Sequence, residues 1–388
     1  MRPPTRLVHP PAASASGAQT VNPVIQKGST VLLPDTAALY DDDAFVTYGR
    51  AGLAAHEALK AALCDLEQAT SVELYPSGVA ATAGALLAVL QAGDELLMVD
   101  TAYKPTRRFC DRTLARLGVQ TRYYDPTLPT DVIAGLMGPR TRVLFLESPG
   151  SLSFEMQDVP GLAAAARSRG VLSLIDNTWG AGHLFKPLNH GVDVSIQSLT
   201  KYVGGHSDAF MGSAAAREAG IASRLQAGVV DIGWSVAAED AYAMLRGLRT
   251  LDVRLRRHEE SGRAIAEWLL GREEVAAVLH PALPGAPGYE IWKRDYSGAC
   301  GLFALVLKPA PEAATAAFLD ALEVFGLGFS WGGFESLAIN CDPQLKVRKF
   351  RREYGGGLVR LHIGLEDPAD LIADLERGLA AFQAAAGG

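Results

Sequence analysis

Val194-Ser-Ile-Gln-Ser-Leu-Thr-Lys-Tyr-Val-Gly-Gly-His-Ser-Asp208 is the stretch from which the rest of the chain can be read. Its first five residues alternate apolar and polar, the period of a short β-strand, and the strand ends where the polar residues gather. Lys201 then follows between the hydroxyls of Ser198 and Thr200 and the ring of Tyr202. A lysine flanked by small hydroxyls at a strand end has the parts for pyridoxal phosphate (PLP) chemistry. Its amine can form a Schiff base with the cofactor aldehyde, and the hydroxyls can donate to the phosphate. The bland reading is a solvated lysine in a polar turn, and the tetrapeptide alone does not separate the two.

Partners for such a lysine stand upstream. Leu172-Ser-Leu-Ile-Asp176-Asn-Thr-Trp179 is an apolar strand ending in a carboxylate. An aspartate there can keep a pyridine nitrogen protonated, although a turn or N-cap role is its ordinary reading. Glu73-Leu-Tyr-Pro-Ser77-Gly78-Val79 leads into an Ala/Leu-rich segment over 80–91. That places free backbone N–H groups and the positive end of a helix dipole where a phosphate can sit, or it is merely a capped helix start. Tyr103 follows the apolar run Leu96–Asp100 and can stack on the ring, or it is a half-buried core tyrosine.

Together these residues resemble the Cys/Met-metabolism family of PLP enzymes, which has the aspartate-aminotransferase-like fold (PLP fold type I). The resemblance runs from about residue 20 to the C-terminus. It implies an α/β large domain with a mixed, mostly parallel sheet, a smaller α/β C-terminal domain and an N-terminal arm. By resemblance, Lys201 is the cofactor-bearing and catalytic lysine, Asp176 the partner of the ring nitrogen, and Tyr103 the stacking residue that also assists proton transfer. Gly78, Val79, Ser198 and Thr200 match phosphate-binding positions. Tyr48-Gly-Arg50 matches a Tyr-x-Arg motif whose side chains reach the phosphate of a neighbouring subunit, so the resemblance also implies a homo-oligomer, a tetramer built as a dimer of dimers. Without it Tyr48 and Arg50 read as loop residues.

Within the family, Asp176-Asn-Thr-Trp-Gly-Ala-Gly182, Gly205-His-Ser-Asp208 and Phe329-Ser330-Trp331-Gly-Gly-Phe-Glu335 look like the members that cleave cystathionine by β-elimination. Ser330 and Trp331 are then substrate-binding; their plain readings are a turn hydroxyl and a core aromatic. Phe329 stands where such members can carry Tyr, and no hydroxyl role falls to it. Glu147-Ser-Pro-Gly-Ser151 lacks the Asn-Pro of relatives doing γ-chemistry. The implied reaction releases homocysteine, pyruvate and ammonia in methionine biosynthesis. The alternatives are a broader cysteine-S-conjugate β-lyase or cysteine desulfhydrase, then γ-synthase or γ-lyase chemistry. A non-catalytic binding protein on the same fold would be expected to lose Lys201, Asp176 or Arg360, and all three are present.

Gly357-Leu-Val-Arg360-Leu-His-Ile-Gly364 alternates Val359, Leu361 and Ile363 with Arg360 and His362, as a strand with one apolar face does. Arg360 matches the arginine that grips the substrate carboxylate, a task suited to its planar fork. The competing reading is an exposed strand arginine paired with a surface acid. His362 lies on the same face with no chemistry to assign.

Composition bounds this reading. The 388 residues are 48% hydrophobic and 20% charged with net charge −7, an enzyme-like balance with no basic run for nucleic acid. Cys64, Cys110, Cys300 and Cys341 are scattered, without metal-ligand spacing, and read as reduced and buried in a cytoplasmic protein. No apolar run nears the ~20 residues of a membrane span, and the Pro/Ala/Ser-rich N-terminus lacks a signal-peptide core. The expected organisation is an arm over 1–60 with residues 1–20 flexible, a PLP-binding domain over 61–245, and a small domain over 246–388. A charged helical stretch over 237–271 connects the two.

Overall fold

The apolar runs between helix signals become seven strands: β1 (Ser71–Tyr75), β2 (Glu95–Val99), β3 (Gln120–Tyr124), β4 (Thr141–Glu147), β5 (Leu172–Asp176), β6 (Val194–Ser198) and β7 (Gly212–Ala216). In the computed structural model, which describes residues 2–8, 20–41 and 44–387, they form one sheet in the order β1-β7-β6-β5-β4-β2-β3. Neighbours from β3 across to β6 are parallel, and β7 is antiparallel to both β6 and β1. Helices cover the sheet, so β2 and β7 are buried along their whole length, as strands of a mostly parallel sheet are. This is the mixed α/β sheet that the sequence predicts. β3 was not anticipated, because Gln-Thr-Arg-Tyr-Tyr carries no apolar alternation.

A second sheet holds β8 (Val275–Leu279), β9 (Leu302–Leu307), β10 (Gly326–Leu327), β11 (Leu337–Asn340) and β12 (Leu358–His362), in the order β10-β11-β12-β9-β8. The helices Glu312–Asp320 and Pro368–Ala386 pack against each other and on this sheet. Period two divides the sheet between two cores. Phe303, Leu305, Leu307, Val359 and Leu361 join the helices, while Leu302, Ala304, Val306 and Leu358 join the core of the larger sheet. Arg360 and His362 fall on that second side. Both are buried, at 5% and 0% exposure, with this face turned toward the larger lobe, which removes the competing reading of an exposed arginine.

The helical connection is two helices, Ala238–Arg249 and Leu251–Leu270, meeting at Thr250. Of the N-terminal segment expected to be flexible, residues 1 and 9–19 lie outside the described residues. Pro3–Val8 is a short helix with Leu7 buried. The arm over 20–50 is largely irregular and joined to itself by a Thr30–Tyr48 bridge. All four cysteines are free, three of them buried and Cys64 partly so. Among the described residues no helix is long and apolar enough to cross a membrane, and no His/Cys/Asp/Glu cluster could hold a metal ion.

Candidate active site

Parallel strands deliver their C-terminal ends to one edge of a sheet, where α/β folds bind ligands. Glu147 ends β4, Asp176 ends β5 and Ser198 ends β6, and Tyr103 follows β2. With the start of the helix Gly78–Val89, and with Ser330, Trp331 and Arg360 from the smaller lobe, they enclose a cavity of about 370 Å³.

Lys201 lies within a tight turn after β6, its amide donating to Ser198 O. Its Nζ donates to Ser330 Oγ at 2.8 Å and stands 5.5 Å from the Trp331 ring centroid. Burial pushes its ammonium down to about 8, helped by the charge of Arg360 and opposed by Asp176 and Glu335. An amine so depressed spends an appreciable share of its time unprotonated at neutral pH, which a nucleophile or a base needs.

Asp176 accepts from the Thr178 N–H at 3.0 Å and from its hydroxyl at 2.6 Å, both on Oδ1. Thr178 also takes the Ser198 N–H on its Oγ1, tying β5 to the Lys201 turn. Glu147 pairs with Asp176 in register across β4 and β5 and accepts from the Tyr103 N–H at 2.8 Å. Burial raises both carboxyls, Glu147 well above its ordinary value, and the Asp176 charge pushes Glu147 further. Only Asp176 has a hydroxyl and an amide arranged to hold its charge together with a nearby lysine. Glu147 is raised the more, although the Tyr103 and Ser151 amides and Arg348 oppose the rise, so Asp176 is the better placed of the pair to carry negative charge.

Arg360 reaches the same cavity from β12. Its Nη2 donates to Ser330 O at 2.8 Å and to Gly328 O at 3.3 Å. Among the described residues Nε is buried without a partner and Nη1 makes no hydrogen bond. A buried guanidinium with unused donors facing a cavity calls for an anion. Tyr103, 41% exposed, completes the wall.

The donor set suits PLP. Ser77 Oγ caps the helix by accepting from Ala80 N at 3.1 Å, which leaves the Gly78 and Val79 N–H groups outside the helix's own bonding. A Cβ at Gly78 would stand 2.5 Å from Ser198 Cβ, so only glycine keeps a gap between helix start and strand end. Among the described residues the Ser198 hydroxyl makes no hydrogen bond. Two amides, an unengaged hydroxyl and a helix N-terminus are what a phosphate would need, with Asp176 on one side and a poised amine on the other. The Thr200 hydroxyl also bonds within the protein. It donates to Met211 O at 3.2 Å and accepts from Met211 N at 3.0 Å, so its one proton is already engaged.

Ten of the twelve residues singled out from the sequence thus border one cavity: Gly78, Val79, Tyr103, Asp176, Ser198 and Thr200, then Lys201, Ser330, Trp331 and Arg360. Tyr48 and Arg50 do not. They border a separate cavity beside Trp234, and Arg50 donates to Val230 O at 3.1 Å. Sequence reasoning gave no role to Thr178, Glu147 or Glu335. Asp-x-Thr directly after a strand was a usable signal for Thr178, and a second strand-terminal acid was one for Glu147.

The family model for the Cys/Met metabolism PLP-dependent enzyme matches residues 4–380. Cystathionine beta-lyase MetC of Escherichia coli is 43% identical over 388 residues, covering 97% of this chain and 98% of that one. A putative cystathionine beta-lyase of Rhizobium johnstonii is 46% identical over 369 residues, covering 94% and 92%. The crystal structure of metB from Corynebacterium glutamicum superimposes with a TM-score of 0.91 at 28% identity, covering 97% of both chains.

Proposed function

The chain belongs to the Cys/Met metabolism family of PLP-dependent enzymes, and from that premise we propose that it is a carbon–sulfur β-lyase acting on cystathionine. Cystathionine and water would yield homocysteine, pyruvate and ammonia. The observation that carries this reading is the meeting of Lys201, Asp176 and Arg360 on one cavity in a chain so similar to relatives bearing that name. When bound, PLP supplies an aldehyde to hold the substrate amine and a ring to accept electrons from Cα. The remaining work falls to the protein. Arg360 offers Nε and Nη1 to the α-carboxylate and so fixes which bond at Cα faces Lys201. Lys201 Nζ, depressed by burial, takes the Cα proton, and Ser330 Oγ aims it. Asp176 keeps a proton on the ring nitrogen, and Tyr103 shields one face from water.

A second cavity of about 200 Å³ adjoins the first through Tyr103, Trp331 and Arg360. Lys104 and Arg108 border it, and among the described residues neither has an ion pair and no carboxylate lines the cavity. That balance favours a thioether whose far end carries its own carboxylate, as cystathionine does, over a simple cysteine conjugate.

The protein is proposed to act as a homo-oligomer, a tetramer of two dimers, with the partner's Tyr48 and the partner's Arg50 completing each phosphate site. Arg50 is exposed here, and the arm around it leaves Leu32 94% and Tyr40 90% exposed, apolar surface that a second copy would cover. The four free cysteines support a reducing compartment, the cytoplasm. Pyruvate and thiol release from cystathionine, cystine and methionine by the purified protein tests the reading. Homocysteine and pyruvate in equal amounts from cystathionine are expected. A preference for cystine points to a desulfhydrase, and 2-oxobutyrate as the keto acid from cystathionine refutes β-chemistry.

A further inference from the structure

His362 has no role in the account above, yet it is fully buried two residues beyond Arg360 on the same side of β12. Its Nε2 lies 3.0 Å from the Gly332 nitrogen and 3.1 Å from Gly333 O. A backbone N–H can only donate, so Nε2 accepts from Gly332 and lies beside the Gly333 carbonyl without donating to it; the ring proton is left on Nδ1, which is buried with no partner among the described residues. Burial, with His258, Arg360 and Lys201 nearby, holds the ring well toward its neutral form.

What Nε2 holds is the loop that touches Lys201. Gly332 has φ +85°, and a Cβ there would stand 2.9 Å from the Lys201 carbonyl carbon and from Tyr202 N. The loop therefore lies flat on the peptide that follows the lysine, in a conformation that favours glycine. Immediately before it, Ser330 Oγ takes the hydrogen bond from Lys201 Nζ, and Trp331 packs edge-on against Tyr202 with ring centroids 5.5 Å apart. One strand thus pins the loop at two points, Arg360 at the carbonyls of Gly328 and Ser330 and His362 at Gly332.

We infer that His362 is a positioning residue, whose Nε2 accepts the Gly332 N–H and so sets where Ser330 and Trp331 stand against Lys201. It does not border the cavity. Its kinetic consequence rests on the proposed lyase reading, while its structural consequence does not.

The test uses holoenzyme carrying His362→Gln, His362→Asn or His362→Ala. A glutamine side chain reaches its terminal amide oxygen to the place of Nε2; asparagine reaches only the place of Nδ1. Hydrogen–deuterium exchange over residues 328–336 should accelerate about fivefold in the Asn and Ala proteins, the effect of one lost hydrogen bond, and stay near the parent rate with Gln. With cystathionine, kcat should fall on the order of 100-fold for Asn and Ala, as misplaced catalytic groups do. KM should move less, because Arg360 remains, and Gln should restore kcat. Unchanged exchange in the Asn protein, or a Gln protein as impaired as Asn, overturns the inference. If the parent enzyme does not cleave cystathionine, the lyase reading fails and the exchange measurement alone decides this one. If the Ala protein does not fold, the Gln and Asn pair still decides it.

Discussion

Arg360→Lys separates a carboxylate clamp from a loop anchor, because the arginine is placed to be both. It is 5% exposed, with Nη2 committed to Ser330 O and Gly328 O and with Nε and Nη1 free for a ligand. A lysine keeps the charge but presents one nitrogen in place of three. It cannot hold the loop carbonyls and grip both oxygens of a carboxylate together. Losing one charge-assisted hydrogen bond to the substrate costs about 1.5–3 kcal/mol, a roughly 10- to 150-fold loss in kcat/KM. A clamp alone would place that loss in KM. Since Ser330 O also loses its guanidinium while Ser330 Oγ aims Lys201, kcat should fall as well, at least severalfold. Steady-state pyruvate release from cystathionine, with the cofactor absorption recorded alongside, measures both. A change in kcat/KM below about threefold would return Arg360 to a structural role. A raised KM with kcat intact would leave the clamp and remove the anchor.

Lys201→Met should give a colourless protein with no pyruvate release; a coloured, active variant would refute the assignment of Lys201. Cofactor-free Lys201→Met should also be more stable than the parent at pH 7. The folded parent holds this amine at about 8 against an ordinary 10.5, so between those values the unfolded chain binds more protons and the parent's stability rises with pH. The gap, on the order of 3 kcal/mol by that shift, should begin to close above pH 8, and urea midpoints at pH 7 and pH 10 check it. Arg108→Gln should lower kcat/KM for cystathionine about two- to fivefold, the scale of an exposed ion pair, and that for S-ethylcysteine much less. Equal losses would remove Arg108 from substrate recognition. Mixing Arg50→Ala with Lys201→Met chains should restore activity in verified hybrids that neither parent shows, since one shared site would then be intact; no recovery means Arg50 serves its own chain.

Much of this was legible in the chain because the chemistry sits at strand ends, where alternation stops and polar residues begin. Asp176, Ser198 and Lys201 announce themselves that way, and the helix start at Ser77-Gly78 is visible from its cap. β3 was invisible because an edge strand such as Gln120–Tyr124 needs less apolar alternation than a central one. Thr200 makes a contact that its sequence neighbours do not show. A hydroxyl beside a lysine reads as a phosphate ligand, but Met211, eleven residues on, takes its hydrogen bond, and that pairing depends on β7 folding back on β6.

β12 holds the more general lesson. Period-two alternation tells which side of a strand is apolar; it does not tell whether the other side is wet. Val359 and Leu361 point into the helices of the smaller lobe, so Arg360 and His362 must point the other way, and in an isolated domain that way is solvent. Here the larger lobe stands against it. The sheet's own neighbours record this, since Leu302, Ala304 and Val306 on β9 are apolar on the same side that β12 makes polar. An arginine and a histidine set into an otherwise apolar buried face must be satisfied there or be costly. They are satisfied, incompletely, by the loop that covers Lys201, and the donors left over on Arg360 face the cavity. The mismatch between β9 and β12 was therefore the readable sign that β12 supplies the site from its second lobe.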